Sequence, residues 1–154
     1  MFSRTKTSPD AGDIQTVHAT CIAIGAHGVL LLGQSGTGKS DLALRLIDRG
    51  AVLVSDDQTA LTTRGGRLLA SPPATLAGKI EVRGVGIVER PWRGMVPIAI
   101  AVRLTERYER MPNPAMREPF AGVDVPIVLL NAFETSAPIK VEIAVEQALA
   151  AARP

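Results

Sequence analysis

Gly33-Gln34-Ser35-Gly36-Thr37-Gly38-Lys39-Ser40 decides how this chain is read, because it fits the spacing G-x-x-x-x-G-K-[ST] of a phosphate-cradling loop. Three glycines let the backbone turn with positive φ and bring its N–H groups up to a polyphosphate with no Cβ in the way. Lys39 would reach the β- and γ-phosphates, and the Ser40 hydroxyl would sit on a magnesium ion. The flanks agree. Gly28-Val29-Leu30-Leu31-Leu32 is an apolar run of buried-strand type. After the loop, Leu42, Ala43, Leu46 and Ile47 recur at helical spacing, and Gly50 is a natural helix stop. Strand, loop and helix thus stand in the order that aims a helix N-terminus at phosphate. The plain alternative, a Gly/Ser-rich turn between a strand and a helix, does not account for that flanking pattern.

Outward from the loop, 154 residues make one domain's worth of chain, long enough to bury about two thirds of the surface its unfolded form exposes. Residues 1–13 are expected to be a flexible N-terminal arm, polar with Pro9 and Gly12 and lacking the apolar core of a signal peptide. Residues 14–154 are expected to form a single P-loop catalytic domain. Composition is 46% hydrophobic and 21% charged, and no apolar run approaches the roughly 18 residues of a membrane helix, so no membrane partner is expected. A formal net charge of +2 and 3% aromatic residues leave little to hold or stack nucleic acid. The single Cys21 cannot close an internal disulfide; it fits a cytoplasmic location and is expected to be inert core among Ala19-Thr20 and Ile22-Ala23-Ile24.

Strands are predicted at Val17 to Ile24, Gly28 to Leu32, Val52 to Val54, Gly66 to Ala70, Ile80 to Val82, Gly86 to Val88, Pro97 to Leu104 and Val125 to Leu129. Helices are predicted only at Lys39 to Arg49 and near Ile139 to Ala152. That is strand-heavy for a doubly wound nucleotide-binding fold, in which helices alternate with strands.

Asp56 and Asp57 follow the apolar Val52-Leu53-Val54-Ser55, where a P-loop protein places its metal acid. One aspartate can hold magnesium beside Ser40, leaving the other to face an acceptor. A carboxylate that takes a hydroxyl proton suits a kinase better than an ATPase motor. The bland reading is that Asp-Asp-Gln opens a polar turn.

Four segments in order now resemble the catalytic domain of HPr kinase/phosphorylase, the bacterial enzyme that phosphorylates a serine of the phosphocarrier HPr. They are His18, 15 residues before the loop; Gly33 to Ser40; Arg49 to Asp57; and Glu81-Val82-Arg83-Gly84-Val85-Gly86-Ile87-Val88, which is similar to the family signature. The resemblance spans roughly residues 16 to 130. It implies an ATP- and Mg2+-dependent protein-serine kinase with Asp57 as base toward the acceptor, Lys39 on the phosphates and His18 near the reacting phosphate. Asp56, Ser40 and Glu81 would surround the metal, and Gly33, Gln34, Ser35, Gly36, Thr37, Gly38, Lys39 and Ser40 would hold the nucleotide. It further implies an α/β fold, a P-loop core with a mixed, strand-rich sheet similar to phosphoenolpyruvate carboxykinase, an HPr-like partner and a homo-oligomer, a hexamer in the family. Without it, His18 reads as a strand histidine and Glu81 with Arg83 as a surface ion pair of little worth.

Two departures qualify the match. Fully regulated members carry an N-terminal domain, so this chain reads as a short form. The family's basic Arg-Pro-Gly-Arg-Asn-like run, associated with phosphorolysis, is replaced by Glu134-Thr135-Ser136-Ala137-Pro138-Ile139-Lys140, so weak or absent phosphorylase activity is expected. The loop and carboxylates alone would also suit a small-molecule kinase or NTPase, or a nucleotide-binding regulatory subunit.

Overall fold

The structure, a computed structural model, describes residues 4–6 and 13–153; most of the arm expected at residues 1–13 lies outside the described residues. In chain order the elements are β1 (Arg4–Lys6), β2 (Asp13–Val17), β3 (Ala19–Ile24), β4 (His27–Leu32), α1 (Lys39–Asp48), β5 (Val52–Ser55) and β6 (Thr59–Arg64). There follow β7 (Arg67–Ser71), a short 3-10 turn (Ala74–Leu76), β8 (Lys79–Val82), β9 (Gly86–Glu89), β10 (Val96–Leu104), β11 (Arg117–Phe120), β12 (Val123–Leu130) and α2 (Ala137–Ala151). Ten strands form one mixed sheet and β8–β9 stands apart as a hairpin. The expected mixed, strand-rich α/β architecture is what the chain adopts.

The sheet runs β1-β2-β6-β7-β10-β4-β3-β5, with β12 and then β11 branching from β10. The long β10 makes the branch. Its first residues, Val96 and Pro97, pair antiparallel with β7, whereas Ala101 to Leu104 pair parallel with β12. On its other edge Ile98 to Arg103 pair parallel with β4. β4, β10 and β12 therefore run the same way, and their carboxyl ends open on one edge, where α/β sheets bind ligands.

Alternation along β3 and β4 fills two cores. Ala19, Cys21, Ala23, Leu30 and Leu32 face one side with Leu61, Leu68, Ala70 and Ile127, where the curled strands cover them. Ile22, Val29 and Leu31 face the other, under Leu42, Ala43 and Leu46 of α1 and Ala137, Val141 and Val145 of α2. Both helices lie on that face, and each presents a buried stripe with spacing of three to four residues.

Three expectations are corrected. The strand predicted at Val17 to Ile24 is two strands, bent at His18: β2 pairs with β6, β3 with β4 and β5. α2 starts at Ala137, two residues earlier than predicted, with Pro138 in the first turn, where its missing N–H costs no helical bond. β6 and β11 are additional strands. β6 is Thr-Ala-Leu-Thr-Thr-Arg, too polar to read as core, and β11 is Arg-Glu-Pro-Phe, whose proline is tolerated because β11 pairs only with β12 and is an edge. Among the described residues no helix is long and apolar enough to cross a membrane.

Cys21 is fully buried, and burial pushes its thiol far above the usual range. Only the thiolate is nucleophilic. At pH 8 the native protein should therefore leave a thiol-specific chromogenic disulfide unreacted, while the denatured chain releases one equivalent, its single cysteine; prompt reaction in the native state would contradict this packing.

Candidate active site

The phosphate loop runs from the carboxyl end of β4 into α1. Gly33, Gly36 and Gly38 take φ of +156°, +87° and +92°. At Gly33 packing adds to conformation, because a Cβ there would run into the Thr37 hydroxyl. Thr37 closes the loop by donating from its N–H (3.2 Å) and its hydroxyl (2.7 Å) to the Gln34 carbonyl. Gly38 is the N-cap of α1 and has no side chain to cap with, so the first N–H groups of the helix have no intrahelical acceptor and no side-chain one. That is a ready anion cradle.

Lys39 Nζ donates to the carbonyls of Gly33 (2.6 Å) and Gln34 (3.2 Å), folding the cation onto its own loop. Only 7% of the residue is exposed. Burial pulls its pKa below the ordinary lysine value, while Asp57 and Asp56 pull it back up.

Asp56, at the end of β5, is the buried acid of the site. Its Oδ1 accepts from the Ser40 hydroxyl (2.6 Å) and the Thr20 hydroxyl (3.1 Å), and its Oδ2 from the Glu81 N–H (3.0 Å). Asp57 is different: its side chain is 62% exposed, and its backbone stands in the left-handed region at φ +67°. The Asp57 N–H donates to the Thr20 hydroxyl (3.1 Å), and His18 Nε2 lies 2.9 Å from Asp57 Oδ1. The bend between β2 and β3 thus sets His18 against one aspartate, and Thr20, two residues on, bonds to both.

A cleft of about 420 Å³ is lined by His18, Leu32, Gly33, Gln34, Ser35 and Arg103. Arg103 of β10 donates to Glu118 Oε2 at 2.6 Å. The predicted residues His18, Lys39, Ser40, Asp56 and Asp57 are linked here by contacts around one loop. Glu81 joins through its backbone N–H, and its side chain is exposed. Among the described residues no cluster of three His, Cys, Asp or Glu is suited to hold a metal. Thr20 is a further residue of the site that the sequence does not single out; a threonine in an apolar strand carries no signal until its partner 36 positions away is known.

The family model for the HPr Serine kinase C-terminal domain matches residues 11–153. The chain belongs to that family. It is 34% identical over 133 residues to the HPr kinase/phosphorylase of Chlorobium phaeovibrioides, covering 77% of this chain and 40% of that protein. With the enzyme of the same name from Clostridium tetani it shares 41% identity over 75 residues, 49% of this chain and 25% of that one. These curated relatives are matched over less than half their length. The solved Hpr(Ser) kinase/phosphatase from Coxiella burnetii superposes with a TM-score of 0.75 at 32% identity, covering 86% of this chain and 95% of that one.

Where the HPr kinase family carries its basic run, this chain builds a neutralised cluster. Tyr108 donates its hydroxyl proton to Glu134 Oε1 (2.6 Å), and Lys140 Nζ lies 3.0 Å from the Tyr108 oxygen and 3.1 Å from Glu134 Oε1. Glu134 is held below the usual carboxylate range, by the Tyr108 hydroxyl first and Lys140 next, while the same contacts raise Lys140.

Thr20→Val keeps the shape of the side chain but leaves the Asp57 N–H without its acceptor and Asp56 without one donor. The expected loss is about 1–3 kcal/mol in urea unfolding, and Thr20→Ser should recover most of it. A Val variant as stable as the parent would mean that this bridge holds nothing.

Proposed function

We propose that this chain carries an ATP- and magnesium-dependent kinase activity directed at a serine of an HPr-like phosphocarrier protein. The observation that carries the reading is the junction of an uncapped glycine loop, a buried acid on Ser40 and an exposed acid backed by a histidine. Ser40 and Asp56 offer hard oxygen donors 2.6 Å apart, which fit magnesium, an ion that takes few protein ligands and completes its shell with phosphate and water. Bound there, magnesium would neutralise charge on the transferred group. The loop N–H groups and Lys39 would hold the polyphosphate. Glu81 is left to position Asp56 through its N–H.

Asp57 is the base in this reading. It is exposed enough to meet a serine from another protein, and His18 orients its carboxylate from 2.9 Å. Attack of the serine oxygen on the γ-phosphorus would form one P–O bond and break that to ADP, with the hydroxyl proton passing to Asp57. Strained backbone at such a position is common in reactive sites. A protein acceptor is favoured over a small molecule by the β8–β9 hairpin, where Val85 in the turn and Ile87 opposite Glu81 are each 73% exposed. An apolar tip held out in water suits a protein surface.

The direct test is transfer of label from γ-labelled ATP to purified HPr-like carrier, scoring serine phosphate against free phosphate. Asp57→Asn should bind magnesium-ATP as the parent does while transfer falls roughly 10² to 10⁴-fold. Lys39→Ala should lose both. Equal loss of binding and transfer in the Asn variant would move Asp57 to the metal and make Asp56 the base.

Phosphorolysis asks for more. Inorganic phosphate must attack the phosphoserine phosphorus, releasing serine and pyrophosphate, so two anions must be held together against repulsion. Lys140 is already paired with Glu134 and Arg103 with Glu118. The reverse rate should therefore be at least about tenfold below the forward one under matched conditions, a factor of ten being 1.4 kcal/mol of barrier. Rapid phosphate-dependent pyrophosphate release from serine-phosphorylated carrier would contradict this, and would direct attention to Arg107 and Arg110.

A further inference from the structure

Phe133 is a large aromatic with 68% of its surface exposed, and it stands immediately beside the phosphate loop. Two of its ring atoms lie 3.4 and 3.5 Å from where a Cβ on Gly38 would sit. The position is rigidly built. Phe133 N–H donates to Asn131 Oδ1 (2.9 Å), Asn131 Nδ2 reaches the Glu106 carbonyl (3.4 Å), and Glu134 N–H closes on the Asn131 carbonyl (3.2 Å). From α1, the Arg45 guanidinium donates to the carbonyls of Ala132 and Glu134, on either side of Phe133. The backbone that carries this exposed apolar ring is thus pinned on both sides of it.

Topology says what the ring faces. β4, β10 and β12 are parallel neighbours, so the segments leaving Leu32, Leu104 and Leu130 emerge on one edge of the sheet. The first is the phosphate loop and the third carries Phe133. A nucleotide whose phosphates lie on the first has its base free to extend along that edge. Aromatic faces next to a phosphate cradle suit a flat π-surface, and base stacking there is tolerant of which base is bound.

We infer that Phe133 is the stacking platform for the nucleobase of a nucleotide held at Gly33 to Ser40. This rests on the phosphate-loop reading proposed above. The polar side chains on either side of Phe133 are already engaged: the Asn131 amide by the Glu106 carbonyl and the Phe133 N–H, and the Glu134 carboxylate by Tyr108 and Lys140. The platform therefore grips adenine and guanine alike, and selectivity between ATP and GTP is low.

The experiment is calorimetric titration of the whole chain and its Phe133 variants with magnesium-ATP, magnesium-GTP and magnesium tripolyphosphate. Phe133→Ala should weaken ATP and GTP by a similar factor, about 5- to 50-fold, and leave tripolyphosphate affinity unchanged. Phe133→Trp should restore nucleotide binding. Unaltered ATP affinity in Phe133→Ala, or an equal loss of tripolyphosphate, would overturn the stacking role while leaving the phosphate loop in place. If the parent chain binds neither ATP nor tripolyphosphate, the phosphate-loop reading falls and this inference with it.

Discussion

The carboxylate of Asp56 is the constraint on which the site depends. It is 8% exposed, and its acceptor sites are met by Ser40 from α1, Thr20 from β3 and the N–H of Glu81 from β8. Together with its own strand β5, four segments distant in sequence meet on one side chain. A carboxylate that buried is tolerated only with such partners, because an unsatisfied one carries a desolvation penalty of several kcal/mol. Ser40 is the first residue after the phosphate-loop lysine, so the same bond that satisfies Asp56 fixes the start of α1 relative to β5. Phosphate cradle and acid are held in register by one interaction.

Asp57 shows how a neighbour of that anchor becomes different in kind. With Asp56 turned inward, the next residue is driven into the left-handed region and its side chain out toward His18. Its N–H, bent out of the ladder, is taken up by the Thr20 hydroxyl that also serves Asp56. Adjacent aspartates thus divide between burial and exposure because a single threonine accepts from one and donates to the other. The bend at His18 matters for the same reason: a continuous β2–β3 strand would keep one set of pairing partners, whereas the break lets β3 pair with β4 and β5 and leaves His18 beside Asp57.

What was legible in the sequence was what is local. Gly33 to Ser40 with its flanking strand and helix is a contiguous pattern, and the φ values of its glycines are properties of a few consecutive residues. Both helices and the strands with strong apolar runs were legible for that reason. β6 and β11 were not, since Thr59 to Arg64 and Arg117 to Phe120 become strands through pairing with β2, β7 and β12 and carry little intrinsic signal. Thr20 was invisible on the same grounds. Arg103 was readable as a basic residue on a strand, but only the branch of β10 between β4 and β12 places it in the cleft with His18. At Glu81 the carboxylate is legible in the sequence, whereas the hydrogen bond from its backbone N–H to Asp56 is not.

The β12–α2 connection bears on the direction of the reaction proposed for this site. In this segment a glutamate quenches the one nearby lysine, from 3.1 Å, and an exposed phenylalanine stands next to the loop glycine. An ion pair that close has little net field at the distance of a second phosphate, and salt screens what remains. The segment therefore adds apolar surface beside the glycine loop and no free charge where the proposed acceptor would approach. A site that must hold two phosphates against each other needs the opposite allocation. In the kinase reading proposed above, residues 131–140 suit a nucleotide with a neutral hydroxyl as its partner, and the carboxylate proposed to receive that hydroxyl's proton comes from the other side of the loop, where Asp57 and His18 face each other across 2.9 Å.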